Sequence, residues 1–122
     1  MTQDDTNDLD LGKLIIENSQ KMNEFLKKDY EAIKNSSKSS ELNKFWNKFE
    51  KKLKSTQKNK STNQIFKVYI KLSDSRPILI NNMDIIEPWF VKVEGINCKN
   101  GLSEKEVLNS RNEKPEIMIG II

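Results

Sequence analysis

Lys71 and Arg76 are the first two side chains whose type and spacing suggest chemistry in this chain of 122 residues. Lys71 follows an alternating apolar run, so its side chain is expected to face away from the core. Arg76 lies in the polar segment SDSRP (73–77), whose composition predicts a tight turn. Two cations beside one turn could converge on a dianionic group. The alternative is that Lys71 is an ordinary solvent-facing strand lysine.

Several common catalytic groups are missing, because the chain has no histidine and only one cysteine, Cys98. The lack of histidine excludes imidazole-dependent triads and nearly all zinc catalysis. A lone cysteine forms no disulfide framework, which favours a reducing compartment: the cytoplasm, with the nucleus as the alternative. The carboxylates of Asp84 and Glu87 near Trp89 fit loop solvation better than acid–base catalysis. We therefore expect a protein that is not an enzyme and has no cofactor or metal site.

Charge is unevenly distributed along the chain, whose formal net charge is +3. Residues 1–10 carry four aspartates and no basic residue, whereas residues 38–67 carry nine lysines against Glu41 and Glu50. A basic segment of this kind can bind anions, and Lys44–Lys60 predicts a nucleic-acid-binding helix as an alternative function. Lysines that only solvate a helix face would give the same composition. No apolar run approaches membrane-spanning length, so no membrane partner is expected.

The first half of the chain predicts two amphipathic helices. Residues 1–9 are acidic and lack apolar periodicity, which predicts disorder. Apolar residues at helical spacing predict a helix over 10–34, and the polar stretch 35–40 ends it. A second helix is predicted from about 41 to 55, with this apolar stripe: Leu42, Phe45, Trp46, Phe49 and Leu53. The stripe favours packing over base stacking. A helical pair that binds another chain as a structural subunit is a further alternative.

The second half predicts a small sheet. Apolar residues at alternate positions over 66–72 predict a half-buried strand, and 78–80 begins a second one. A loop ending in Pro88 and a short strand over 89–94 follow. The last segment, IMIGII (117–122), has the composition of a buried strand. A buried strand in this position pairs internally or belongs to a longer domain, and we favour the fragment interpretation.

The segment SEKEVL (103–108) predicts a short helix. Ser103 as N-cap and Glu106 three residues later form a capping box, and Leu102 with Val107 supplies the hydrophobic staple. With this helix the predicted fold class is α+β, in which a helical leader precedes a small mixed β-sheet with a packed helix. Three segments are expected: an acidic tail and first helix (1–37), a basic amphipathic helix and polar linker (38–64), and a β-rich segment (65–122).

The order of these motifs resembles the N-terminal half of the PIH domain, over residues 65–122. The resemblance is carried by the strand end Ile70-Lys71, the polar turn, the strand ILIN (78–81), the loop at Pro88, SEKEVL (103–108) and the strand from Ile117. It implies an incomplete PIH-type domain.

PIH domains are adaptors of the ninety-kilodalton heat-shock chaperone that bind acidic, phosphoserine-containing peptides. They link the chaperone to clients such as box C/D small nucleolar ribonucleoprotein. The resemblance therefore implies a non-catalytic adaptor whose partners are the chaperone machinery or an acidic phosphorylated peptide. It assigns Lys71 as a phosphate contact and Arg76 as the second basic group of a phosphopeptide site.

Overall fold

Three helices precede five strands in this protein. The computed structural model describes residues 3–72, 76–113 and 115–122, with the backbone alone for residues 3–10. The helices are α1 (Gln3–Lys28), α2 (Tyr30–Ser36) and α3 (Ser40–Gln57). The strands are β1 (Phe66–Lys71), β2 (Pro77–Ile86), β3 (Phe90–Asn97), β4 (Ser103–Asn109) and β5 (Glu116–Ile121). The predicted α+β class with an N-terminal helical leader is confirmed.

The five strands form one sheet in the order β4-β3-β2-β1-β5, and all four pairings are antiparallel. The expectation of a mixed sheet was therefore wrong. Three short connections join sequential strands as antiparallel neighbours, whereas a parallel pair needs a long crossover, and β5 also runs antiparallel to its neighbour β1. β4 and β5 are the edge strands, about 19 Å apart across a flat sheet at the usual strand spacing. Leu72, Leu108 and Pro115 nevertheless line one cleft, so the sheet is curved at this end.

The segment 103–108 belongs to strand β4, so the predicted capped helix was wrong. Leu108 is buried while Val107 is exposed, which is the alternation of a strand. β4 pairs with β3 along its whole length, from Ser103 to Asn109. The backbone ladder stabilises the strand more than a capping box stabilises a two-turn helix, since tertiary context overrides weak local propensity.

The boundaries of three other elements differ from the predicted ones. The backbone is helical from Gln3, so the disorder expected over 1–9 was wrong for the described part of that segment. The helix predicted over 10–34 is divided at Asp29 into α1 and α2. β2 extends to Ile86, through residues that were expected to lie in a loop. The turn expected over 73–77 falls largely on residues 73–75, which lie outside the described residues.

The second predicted helix is confirmed as α3. Ser39 caps it, since its side chain accepts a hydrogen bond from the backbone N–H of Leu42 at 3.2 Å. The predicted apolar stripe packs inwards: Leu42, Phe45, Trp46 and Phe49 are buried and Leu53 is partly buried. The hydrophobic core contains residues from all three helices and all five strands. Because the stripe is buried within its own chain, a structural helical partner would have to use other surfaces.

Two asparagines of α1 attach the helix to the sheet where β1 separates from β2. β1 pairs with β2 only from Tyr69 onwards, so the start of β1 has no strand on that side. There Asn23 accepts a hydrogen bond from the backbone N–H of Phe66 at 3.2 Å and donates one to its carbonyl at 2.8 Å. Asn18 donates to the carbonyl of Leu79 on β2 at 2.6 Å. Asn23 thus replaces the missing strand neighbour of Phe66.

We expect Asn23→Ala to lower the free energy of unfolding by about 2–3 kcal/mol, because two part-buried backbone groups of Phe66 would lose their partner. Urea unfolding followed by circular dichroism measures the loss. Asn47→Ala on the exposed side of α3 is the matched control and should change stability by less than about 0.5 kcal/mol. Equal effects of the two substitutions would contradict the role assigned to Asn23.

Candidate binding surface

Arg76 is held by two glutamates of β4. Its guanidinium forms one ion pair with Glu104 and a second with Glu106, at 2.9 Å from Nη2 to Oε1. The three side chains are only 18–34% exposed, so these are partly buried charge-assisted hydrogen bonds. The positive charge of Arg76 is therefore balanced within the protein, and the two pairs join the start of β2 to β4 across β3.

Lys71, the other predicted phosphate contact, lies at the end of β1 and is exposed. Its backbone pairs with Pro77 on one side and Glu116 on the other. Lys71 also lines the cleft of about 420 Å³ that contains Leu72 and Leu108. Two carboxylates, Glu113 and Glu116, line the same cleft, so its charge does not favour an anion.

The structure places Lys71 and Arg76 on opposite faces of the sheet. The backbone N–H of Leu72 bonds the carbonyl of Arg76 at 3.0 Å, so these two residues are paired and their side chains share a face. Leu72 is buried on that face, and Lys71, its neighbour along the strand, points to the other one. The two cations are thus not brought together on one ligand.

A second group of basic residues lies along one side of α3. Lys44, Lys48 and Lys52 recur every four residues, so they form a row along the helix, which we name the lysine row. All three side chains are exposed. Thr56 continues the row at the same spacing. The sequence predicted a basic helix, and the spacing of four was the signal for this row, but only the fold shows which element it faces.

The lysine row faces strand β5. Lys48 Nζ donates to the carbonyl of Pro115 at 3.4 Å, just before the strand, and Thr56 Oγ1 donates to the carbonyl of Ile119 at 3.3 Å. Between these contacts lies a groove of about 360 Å³, which we name the α3–β5 groove. It is lined by Lys52, Ser55, Thr56, Ile117, Met118 and Ile119.

At its N-terminal end the lysine row borders another cleft of about 380 Å³. Lys44, Lys48 and Arg111 line it together with Glu41 and Glu113. Arg111 lies over the ring of Trp89, 4.7 Å from the ring centroid, in a cation–π contact. Positive groups therefore outnumber carboxylates along this side of α3, in contrast to the cleft beside Lys71.

The aromatic side chains of α3 are not available to stack on bases. Phe45, Trp46 and Phe49 are at most 6% exposed. Their rings pack on one another and on Tyr30, with centroid distances of 5.0–6.5 Å. A nucleic-acid interface on α3 would have to depend on the lysines alone.

Burial accounts for the main pKa shifts of the potentially nucleophilic side chains. It raises the pKa of the Cys98 thiol and that of the Tyr69 hydroxyl above their ordinary values. The pKa of Tyr30 is also raised, chiefly by burial and secondarily by the nearby charge of Glu50. A raised thiol pKa lowers the thiolate fraction, so Cys98 is a weak nucleophile at neutral pH.

Among the described residues, no group of three or more histidine, cysteine, aspartate or glutamate side chains is arranged to hold a metal ion. In the same part of the chain, no helix has the length and apolar character needed to cross a membrane.

The elements over 65–122 differ in one place from the order expected from the PIH resemblance. The strands at Ile70-Lys71, at 78–81 and from Ile117 are present, and 103–108 forms a strand instead of the acidic helix of the family pattern. In comparisons with family models, with curated proteins and with solved structures, no match to this chain is found.

Proposed function

We propose that this chain is a non-catalytic protein-interaction module that binds acidic segments of partner proteins, including phosphorylated ones, in the manner of a chaperone adaptor. The observation that carries the proposal is the lysine row, whose three side chains are exposed on one side of α3. The lack of histidine and the resemblance to PIH adaptors support it.

The charges favour the lysine row over Lys71 and Arg76 as the place where an anion binds. Arg76 already has Glu104 and Glu106 as partners, and an anion would have to compete with both. Lys44 is 74% exposed and makes only a loose contact of 3.7 Å with Glu41. Lys48 and Lys52 are exposed as well. Their ammonium groups can therefore turn towards a carboxylate or phosphate with little loss of existing contacts.

The direct test replaces the row with glutamate. We expect the triple variant Lys44→Glu, Lys48→Glu and Lys52→Glu to weaken binding of a labelled acidic phosphopeptide at least about tenfold in fluorescence anisotropy, because three attractive charges become repulsive. The effect should shrink as salt rises, since exposed charges are screened. Lys71→Ala should change binding less than about twofold.

The control for net charge reverses three other exposed lysines, Lys21, Lys27 and Lys99. If this control weakens binding as much as the row variant does, the protein attracts acidic peptides only through its overall charge. Absence of measurable binding of any acidic peptide, phosphorylated or not, would overturn the proposed function.

Nucleic-acid binding is the second candidate, and the exposure of further lysines on α3 favours it: Lys51, Lys54 and Lys58. A salt titration on generic RNA separates the two functions, because phosphate-backbone binding falls steeply as salt rises. Tight RNA binding at physiological salt, stronger than that of acidic peptides, would favour this second function.

A further inference from the structure

We infer that the cleft of about 380 Å³ at the N-terminal end of the lysine row binds one phosphate monoester group of the acidic partner segment. We name it the row-end cleft. Lys44 and Lys48 of α3 line it together with Arg111, which lies in the turn between β4 and β5. This inference rests on the proposed function and adds the kind of acidic group that the partner carries at this point.

Two elements that are distant in sequence bring three cations to the row-end cleft. Lys44 and Lys48 are one helical turn apart, about 6 Å along the axis of α3. Arg111 lies on the other wall of the cleft, in the β4–β5 turn. A phosphate has about twice the charge of a carboxylate and presents three acceptor oxygens in three directions instead of two in one plane. It can therefore contact all three cations at once.

The guanidinium of Arg111 is oriented so that it can serve such a ligand. Its central carbon lies over the ring of Trp89, 4.7 Å from the ring centroid. A contact of this kind uses the charge and the flat face of the guanidinium, whereas the N–H donors point outwards within its plane. Arg111 can therefore keep its contact with Trp89 and donate two parallel hydrogen bonds to phosphate oxygens.

Hydrogen bonds within the β4–β5 turn fix the backbone at Arg111. The side-chain oxygen Oδ1 of Asn109 accepts the backbone N–H of Arg111 at 3.0 Å and that of Asn112 at 3.2 Å. The backbone N–H of Glu113 bonds the carbonyl of Asn109 at 2.8 Å. These three backbone donors are occupied, so the turn offers a ligand the side chain of Arg111 from a fixed backbone position.

The two lysines of the cleft make contacts that an anion can replace. Lys48 Nζ donates to the carbonyl of Pro115 at 3.4 Å, which keeps its ammonium beside the turn and leaves two of its three N–H donors for a ligand. Lys44 contacts Glu41 at 3.7 Å, and its side chain is 74% exposed. Exposed ion pairs of this kind contribute little to stability, so their rearrangement opposes binding only weakly.

Two carboxylates, Glu41 and Glu113, also line the row-end cleft. The three cations leave one positive charge in excess, and the attraction of that excess doubles when the ligand carries two negative charges instead of one. Glu113 is exposed and also lines the cleft beside Lys71, so it can turn towards that lysine when an anion enters. The charges of the cleft therefore favour a phosphate over a single carboxylate.

The experiment uses the full chain and three labelled peptides of glutamate and glycine that differ at one central residue, which is serine, glutamate or phosphoserine. We expect the native protein to bind the phosphoserine peptide at least about tenfold more tightly than the glutamate peptide in fluorescence anisotropy. The serine peptide should bind most weakly. Arg111→Gln removes the guanidinium and should reduce the preference for phosphoserine over glutamate to about twofold or less.

Lys52→Gln is the matched control, because Lys52 belongs to the lysine row but lines the α3–β5 groove and not the row-end cleft. It should weaken both acidic peptides by the same factor, which leaves the preference within about twofold of the native value. Native binding of phosphoserine and glutamate peptides with equal affinity, or an equal change of preference in the two variants, would overturn the phosphate site. Dependence on the lysine row would then leave the proposed function standing, whereas no binding of any acidic peptide would overturn both.

Discussion

Gly95→Ala is expected to destabilise the protein by about 3 kcal/mol or more, a large part of the roughly 5–15 kcal/mol that holds a domain folded. Gly95 is buried in β3 opposite Ile80 of β2. A Cβ atom built on it would lie 2.0 Å from the carbonyl oxygen of Leu79 and 2.9 Å from the Cα of Ile80. Both neighbours are backbone atoms, so no side-chain rotation can relieve the contact.

The position of Gly95 explains why the backbone approaches so closely. The register between β2 and β3 shifts between Ile80 and Asn82, directly after the residue paired with Gly95. Such a bulge bends its strand and increases the local twist. Asn18 of α1 bonds the same Leu79 carbonyl, so movement of β2 would also disturb the attachment of the helix. The variant should therefore lose helix packing together with the strand pairing.

Urea unfolding followed by circular dichroism measures this effect. The matched control is Gly12→Ala on α1, where an added Cβ has no atom within 4 Å. In an exposed helical position this control should stabilise the protein by up to about 1 kcal/mol. Opposite signs for the same chemical change are the expected result. A Gly95→Ala protein as stable as the native one would show that β2 and β3 separate more easily than the structure indicates.

The parts of the fold that the sequence predicted well are those with an unambiguous period. The stripe on α3 and the alternation over 66–72 each have only one face that can be buried, so the element and its orientation follow directly. The division at Asp29 and the extension of β2 to Ile86 depend on packing between distant segments. Local patterns do not encode such packing.

SEKEVL shows why local rules fail where long-range contacts decide the element. A capping box fits 103–108, and the first four residues of that segment are all polar, so the sequence carries no strand period. The alternating burial of a strand appears there only because another strand lies alongside. β3 supplies that strand, and Arg76 supplies the partner for the inward carboxylates Glu104 and Glu106. Neither neighbour can be inferred from six residues.

The candidate binding surface differs from the predicted phosphopeptide site for the same reason. Lys71 and Arg76 are close in sequence, but the antiparallel pair places them on opposite faces, and Arg76 has charged partners 28 and 30 residues away. From the sequence, the lysines of the lysine row could be recognised only as part of a basic helix. The surface that the row faces is built by β5, which is more than 60 residues from Lys52 and lies beside α3 only in the folded chain.

Trp46→Ala should cost about 3–5 kcal/mol, the usual loss for truncating a fully buried aromatic side chain. Trp46 is 1% exposed, and its ring lies 5.0 Å from that of Phe45 and 5.7 Å from that of Tyr30. Its indole Nε1–H also donates to Ser37 Oγ at 2.6 Å, which fixes the segment between α2 and α3. The truncation would leave a cavity at the contact between the helices.

Trp46→Phe distinguishes the contribution of ring packing to stability from that of the hydrogen bond. It keeps most of the packing and removes the bond to Ser37, so a loss of about 1–2 kcal/mol is expected. Urea unfolding by circular dichroism measures both variants. Trp89 remains as a fluorescent probe of the far end of the sheet. An alanine variant within about 1 kcal/mol of the native protein would contradict the packing of α3 described above.

The two Trp46 variants also test how the binding surface is held. The lysine row lies on the same helix as Trp46, and its register with β5 depends on how α3 packs against the sheet. The phenylalanine variant keeps that packing, so it should bind the labelled acidic phosphopeptide within about twofold of the native protein while being less stable. A loss of binding in a folded phenylalanine variant would mean that the groove requires the Ser37 contact to keep α3 in place.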